Sequence, residues 1–158
     1  MADEKLFSIL DTLEIEYKTL DHPVITTMAE GKDIMEQLEG NVCLNLFLKD
    51  KEGTYYIVVK RLGNRLDIKK LGKELNVTKL KLASPDEMTK LLYIPKGCAT
   101  VFAICNDLSG SVKVLIDKEL PKNEKVNFHP LRNNATTTIS YQNMIKYINH
   151  YDKEIIYF

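Results

Sequence analysis

Apolar residues follow two different periods along this 158-residue chain. Near the N-terminus they recur every three to four positions, which predicts an amphipathic helix over residues 3–15. Residues 42–48 form an extended, largely apolar run, and residues 55–59 are rich in β-branched and aromatic side chains. The polar loop between these two runs contains Gly53, so the runs are predicted to pair as a β-hairpin.

Capping signals place two further helices. Ser84 precedes Pro85 and is followed three residues later by Glu87, a capping box that predicts a helix to about Leu92. Asp67 is the expected N-cap of a helix that ends near residue 75. The other predicted elements are a strand at 17–20, a helix at 27–38 with Met28, Met35 and Leu38 inward, a hairpin of strands 99–105 and 112–116, strands at 125–128 and 135–139, a helix at 140–148 and a strand at 154–157.

The order of these elements predicts the fold class. Helices and antiparallel hairpins are mixed along the chain, with no internal repeat, linker or low-complexity tract. We therefore expect one α+β (mixed α/β) domain over residues 1–158, with a central, mostly antiparallel mixed sheet and flanking helices.

The overall charge limits the possible partners. Basic and acidic side chains both number 22, so the formal net charge is zero. Surfaces that bind long nucleic acids are usually basic, which argues against DNA as a partner. Residues 60–81 nevertheless carry eight basic and only two acidic side chains. That segment is either a patch for a short phosphate backbone or a solvated helix face, and the sequence leaves both interpretations open.

Other features bear on location and cofactors. The chain has no apolar run of about 18 residues, so no membrane span is expected. Its first ten residues are acidic where a secretory signal would be basic. Its three cysteines show no paired spacing, which favours free thiols in a reducing cytoplasm. The sequence lacks the phosphate-binding glycine motifs and the zinc-peptidase motif, so neither a cofactor nor a metal is expected.

Seven short motifs recur in a fixed order along most of the chain. They are His22-Pro23 with Thr26, the stretch NLFLKD at 45–50, Arg65-x-Asp67, the stretch GCATVF at 97–102, Asn106-Asp107 with the run VKVLID at 112–117, Phe128-His129-Pro130, and Asn133-x-Ala135-Thr136. Together they resemble the motifs of the prolyl-tRNA editing domain family of the YbaK/ProX type.

This resemblance implies an activity. Family members hydrolyse the ester of a mischarged aminoacyl-tRNA, here most simply alanine attached to proline tRNA. Such an ester is already activated, so catalysis needs a positioned water and a site for the oxyanion. Backbone amides of the glycine loop and the ribose hydroxyl of the substrate are thought to supply these. The partners that the resemblance implies are the aminoacylated acceptor end of tRNA and prolyl-tRNA synthetase.

The resemblance also assigns roles to residues. Gly97, His129 and Asn45 are the expected catalytic residues. The expected substrate-binding residues are Thr26, Leu44, Phe47, Cys98, Ala99, Asn133, Ala135 and Thr136. The expected tRNA-binding residues are Lys49, Lys60, Arg61 and Arg65. Asn45 has a second interpretation as a ligand of neighbouring backbone, Phe47 has one as a core residue, and His22 is expected to be structural.

Two positions depart from the family pattern. Leu44 stands where the family has lysine, and Val101 stands where the glycine loop usually has proline. A lost charge-assisted contact is worth roughly 1.5–3 kcal/mol, unless Lys49, Lys60 or Arg61 supplies the charge from another direction. The alternative is therefore a non-catalytic module that binds an amino acid or aminoacyl-tRNA. A third hypothesis is a cysteine hydrolase that uses Cys98 with His129.

Overall fold

The computed structural model describes residues 3–63 and 65–158. Its helices are α1 (Glu4–Thr12), α2 (Met28–Glu36), α3 (Ile68–Glu74), α4 (Pro85–Leu92), α5 (Tyr141–His150) and a 3₁₀ helix (Val101–Asn106). Its strands are β1 (Lys18–Asp21), β2 (Asn41–Lys49), β3 (Tyr55–Arg61), β4 (Lys81–Leu82), β5 (Lys113–Ile116), β6 (Lys125–Phe128), β7 (Ala135–Ser140) and β8 (Ile155–Tyr157). The capping box at Ser84 is confirmed, since Ser84 and Glu87 each bond to the backbone of the other.

All eight strands belong to one mixed sheet. Its strand order is β1-β7-β6-β2-β3-β5-β8, with β4 pairing to β2. Antiparallel pairs join β1 to β7, β7 to β6, β2 to β3 and β2 to β4. Parallel pairs join β2 to β6, β3 to β5 and β5 to β8. The predicted α+β class with a mixed, mostly antiparallel sheet is confirmed.

The predicted second hairpin is wrong. Residues 101–106 form a 3₁₀ helix, and Thr100 caps it by accepting a hydrogen bond from the Phe102 amide. Val101 to Cys105 are all buried, so this run is apolar because it is enclosed on every side and not because one face of a strand packs. Strand β5 pairs instead with β3 and β8, and its Val114 and Ile116 pack in the same core as the 3₁₀ helix.

The sheet separates two apolar cores. The larger core packs α1, α4, α5 and the 3₁₀ helix against one face, and it includes Phe47, Val59, Phe102 and Phe128. The smaller core packs α3 against the other face of β2, β3 and β5, around Leu48 and Leu71. Because side chains alternate along a strand, this arrangement fixes which face each strand residue occupies.

Helix α2 differs from the other helices in having no buried residue. Thr27 caps it by accepting a hydrogen bond from the Glu30 amide. The prediction that Met28 and Met35 face inward is wrong, because their side chains are 94% and 44% exposed. The capping chemistry is enough to start this helix, whereas the apolar residues on it are not used for core packing.

Candidate functional site

Strand register builds a row of side chains across one face of the sheet. Leu20 of β1 lies opposite Thr136 of β7, and Thr137 lies opposite Phe128 of β6. His129 follows Phe128, so it continues the row beside Thr136. Phe128 points into the larger core, and by alternation His129 and Thr136 point to the opposite face.

Strands β2 and β3 extend this row. Val42 of β2 pairs with Asn127 of β6 in parallel register, and the ladder ends at this pair. Extending the register by two residues beyond its end directs Leu44 toward His129. Leu44 is in turn the direct partner of Lys60 on β3. Neighbouring strands lie about 4.8 Å apart. On this extended register Thr136, His129, Leu44 and Lys60 follow one another in a transverse row, and two strand spacings place Lys60 about 10 Å from His129 at the backbone.

His22 lies beside this row, and both of its ring nitrogens are engaged in hydrogen bonds within the fold, as its expected structural role requires. Its side chain is 7% exposed. Its Nδ1 lies 2.8 Å from the Pro23 carbonyl oxygen, and its Nε2 lies 2.8 Å from Thr136 Oγ1. A carbonyl only accepts, so in the neutral ring Nδ1 carries the hydrogen and the Thr136 hydroxyl donates to Nε2. The match to the H-P-x-x-T motif singles out His22. The motif does not show that Thr136, in a distant strand, is its neighbour.

His129 is held in one orientation by β7. Its Nδ1 lies 2.9 Å from the Ala135 carbonyl oxygen, and its ring centroid is 6.4 Å from that of His22. Nδ1 therefore donates, which leaves Nε2 of the neutral ring as an acceptor. Burial lowers the pKa of His129 and the nearby His22 lowers it further, while the bond to Ala135 opposes both. His129 thus presents a neutral imidazole whose Nε2 has no partner among the residues that the structure describes.

The glycine loop begins with a tight turn. The Cys98 amide donates to the Pro95 carbonyl oxygen at 3.2 Å. Gly97 has φ +80°, the value that a type II turn requires at its third position. A Cβ on Gly97 would meet nothing within 4 Å, so the backbone there faces open space. The Gly97 and Ala99 amides have no hydrogen-bond acceptor within the described parts of the chain, and both remain available to an oxyanion.

Asn45 ties this loop to β2. Its Oδ1 accepts a hydrogen bond from the Val101 amide at 2.7 Å. A proline at position 101 has no N–H and could not form this bond. The departure from the family pattern at Val101 therefore provides a tether in this chain. Of the two roles that the sequence allowed for Asn45, the structure shows the bond to neighbouring backbone, which makes it a positioning residue for the loop.

We expect Asn45→Ala to lower the free energy of unfolding by about 1–3 kcal/mol, because the buried Val101 amide would lose its acceptor. Asn45→Asp keeps an acceptor oxygen and serves as the matched control. Urea unfolding of both variants measures the difference. An alanine variant as stable as the wild type would show that the tether does not hold the loop.

Two predicted substrate-binding side chains lie in the core. Phe47 is 4% exposed and stacks on Tyr55, with ring centroids 5.1 Å apart. Cys98 is fully buried, and burial raises the pKa of its thiol to about 11. A thiol in this state is not a nucleophile near neutral pH. The structure therefore contradicts both the side-chain contact expected of these residues and the cysteine hydrolase hypothesis.

The predicted tRNA-binding cations differ in their availability. Lys49 pairs with Glu87 at 3.0 Å and lies over the Tyr55 ring, so it is engaged in the fold and not free for phosphate. Lys60 donates only to the Arg61 carbonyl oxygen, at 3.0 Å. Arg61 and Arg65 have exposed side chains. Lys60 is thus the predicted cation that the structure brings into the row with His129.

The remaining predicted residues have different surroundings. Thr26 donates from its amide and its hydroxyl to the Glu30 carboxylate, so it stabilises the start of α2. Ala135 is buried and holds His129 through its carbonyl. Asn133 is half-buried in the loop between β6 and β7.

A cavity of about 400 Å³ opens on the same face, next to the row. Leu20 belongs to both, and Lys18, Thr138, Leu38 and Lys125 also line the cavity. In the part of the chain described, no cluster of His, Cys, Asp or Glu side chains could hold a metal ion. No helix among residues 3–63 and 65–158 is long and apolar enough to span a membrane.

Comparisons with known proteins identify the family of this chain. A sequence model of the aminoacyl-tRNA editing domain matches residues 22–147. The prolyl-tRNA editing protein ProX of Acetoanaerobium sticklandii is 33% identical over 148 residues, covering 93% of this chain and 90% of that protein. The mouse prolyl-tRNA synthetase associated domain-containing protein 1 is 34% identical over 145 residues, covering 88% and 85%.

Solved structures share the fold. The crystal structure of a hypothetical protein has a TM-score of 0.76 at 21% identity and covers 97% of each chain. A candidate trans-editing enzyme for prolyl-tRNA synthetase has a TM-score of 0.72 at 16% identity, covering 98% of this chain and 94% of its own. With its motifs, its fold and its matched span taken together, this chain belongs to the aminoacyl-tRNA editing domain family.

Proposed function

We propose that this protein hydrolyses the ester of mischarged aminoacyl-tRNA, with alanine on proline tRNA as its first substrate. It would act in the cytoplasm, in trans to prolyl-tRNA synthetase. The observation that carries the proposal is the state of His129. A neutral imidazole fixed through Nδ1 leaves Nε2 as an acceptor for the terminal ribose hydroxyl or for a water. Family membership supplies the class of ester.

The chemistry needs no protein nucleophile. A water held by the ribose hydroxyl attacks the ester carbonyl, and His129 Nε2 orients that hydroxyl by accepting its hydrogen. The carbonyl oxygen becomes an oxyanion, and the resemblance assigns its stabilisation to backbone amides of the glycine loop, where those of Gly97 and Ala99 have no acceptor among the described residues. The carbon–oxygen bond to the ribose then breaks, and the proton from water passes to the departing ribose oxygen. The products are the free amino acid and the tRNA.

Lys60 supplies the cation that position 44 lacks. Directly opposed residues on antiparallel strands have their Cβ atoms about 5 Å apart, and Lys60 is the partner of Leu44. Its long side chain is able to cross the short Leu44 side chain toward His129. Its present bond to the Arg61 carbonyl is at the surface and is easily exchanged for a phosphate oxygen.

A deacylation assay tests the proposal. We expect the protein to release alanine from Ala-tRNA(Pro) faster than buffer alone, and to leave Pro-tRNA(Pro) intact. Cys-tRNA(Pro) measures how far the acyl site tolerates a larger side chain. If all three esters survive at the buffer rate while tRNA still binds, the protein is a binding module and the enzymatic proposal is wrong.

A further inference from the structure

A broad groove lies between α3 and the segment that leads into β4. Its volume is about 830 Å³, and its apolar lining includes Ile68, Val77, Leu80 and Leu82. Gly72 and Leu80 bring the two walls into contact, since a Cβ on Gly72 would lie at an ordinary van der Waals distance of 3.4 Å from the Leu80 Cβ. The groove is open to solvent and is spatially separate from the row that contains His129.

Four lysines surround this groove without neutralising partners. Lys69, Lys73, Lys79 and Lys81 line it, and none of the lining residues is acidic. All four side chains are exposed, and none forms an ion pair with another residue that the structure describes. On α3, Lys69 and Lys73 are four residues apart and share one face. Such a concentration of unpaired cations repels itself, so an anionic ligand would stabilise it.

Strand register gives the distance from the groove to the ester site. Lys81 is the direct partner of Lys49, and Leu82 is the partner of Leu48. Leu44 precedes Lys49 by five residues, which corresponds to about 17 Å along β2. Leu44, Leu48 and Leu82 lie on the same face, because Leu48 belongs to the smaller core and alternation places Leu44 with it. The Leu82 wall of the groove therefore lies on the same side of the sheet as the row, while Lys81, as the partner of Lys49, leaves the edge of the sheet toward the other face.

We propose that this groove binds the phosphate backbone of the tRNA acceptor stem. The proposal rests on the proposed function, since it takes the terminal ribose to lie at His129. At about 3.4 Å per nucleotide, 17 Å corresponds to roughly five stacked nucleotides. The groove would then meet the strand where the unpaired 3′ end joins the base-paired stem. Each lysine contacts backbone phosphate, so the groove contributes affinity and not sequence recognition.

The test removes the four charges together. In the groove variant Lys69, Lys73, Lys79 and Lys81 are changed to glutamine. The matched control variant changes the same number of exposed lysines elsewhere: Lys90, Lys118, Lys122 and Lys146. Binding of uncharged tRNA is measured by fluorescence anisotropy over a range of salt concentrations. We expect the groove variant to bind at least tenfold more weakly and its log–log salt slope to fall by about 3–4, roughly one for each lysine.

A second measurement separates the groove from the ester site. Alanine esterified to a CCA trinucleotide is too short to reach the groove, so we expect the groove variant to hydrolyse it at the wild-type rate. The proposal would be overturned if the groove variant bound tRNA with the wild-type affinity and salt slope. It would also be overturned if the control variant lost as much tRNA affinity, or if the groove variant hydrolysed the trinucleotide ester as poorly as it bound tRNA. If the wild type hydrolyses neither ester, the proposed function fails, while the binding data still decide whether the groove holds RNA.

Discussion

His129→Ala is expected to lower kcat/KM for Ala-tRNA(Pro) by about 100- to 1,000-fold. The change removes Nε2, the acceptor that orients the ribose hydroxyl and through it the attacking water. Losses of this size are typical when a positioned proton acceptor or an electrostatic donor is deleted. Single-turnover release of labelled alanine measures the effect on the chemical step, separately from product release.

The matched control is His150→Ala. His150 is exposed at the end of α5, far along the chain from the row, and its loss should leave the rate unchanged. Circular dichroism of both variants checks the fold, since His129 also bonds to the Ala135 carbonyl. A folded His129→Ala protein that retains the wild-type rate would remove this residue from the mechanism.

The pH dependence follows from the same residue. Burial lowers the pKa of His129 below its ordinary value of 6.5. Only the neutral ring has an acceptor nitrogen. We therefore expect the enzymatic rate, corrected for hydrolysis in buffer, to stay constant with respect to His129 above about pH 6.5. It should fall as the pH approaches the lowered pKa. The contribution of His129 to folding stability follows the same direction. It is fully present above pH 6.5 and is lost as the pH falls toward the lowered pKa, because the unfolded chain takes up the proton first. The residual activity of His129→Ala should lack the acid limb.

The local parts of the fold were readable from the sequence, and the non-local parts were not. The capping box at Ser84 and the hairpin around Gly53 depend on neighbouring residues, and both are confirmed. The sequence predicts a strand where the 3₁₀ helix lies, because an apolar run that is enclosed on all sides has no periodicity by which a strand and a helix could be distinguished. The parallel pairing of β2 with β6 joins residues more than 80 positions apart, and sequence patterns give no register for such pairs.

The same division applies to the candidate site. Motif matches identified His129, Asn45 and Gly97, and the structure gives partners to the first two, Ala135 and Val101, while Gly97 turns the loop with a positive φ. The sequence predicts a structural role for His22 but not its partner Thr136, because the two residues lie 114 positions apart. It treated Lys49 as free because its ion pair with Glu87 crosses from a strand to a separate helix. Contacts between distant segments decide which polar side chains are available to a ligand.

Lys60→Gln is expected to reduce kcat/KM for Ala-tRNA(Pro) by about 10- to 100-fold. This is the loss that corresponds to one charge-assisted hydrogen bond of roughly 1.5–3 kcal/mol. The structural reason is the register of the hairpin, which sets Lys60 directly opposite Leu44 and in the row with His129. The loss should shrink at high salt, because part of the contact is a long-range attraction to phosphate.

A double-mutant cycle makes this prediction specific. If Lys60 occupies the place that a lysine at position 44 would fill, Leu44→Lys should restore most of the activity of Lys60→Gln, yet add little to the wild type. Lys51→Gln, an exposed change in the turn of the same hairpin, controls for the lost charge. Two independent sites would give additive effects. A cycle in which Leu44→Lys raises activity equally in both backgrounds would therefore show that Lys60 does not replace the missing cation.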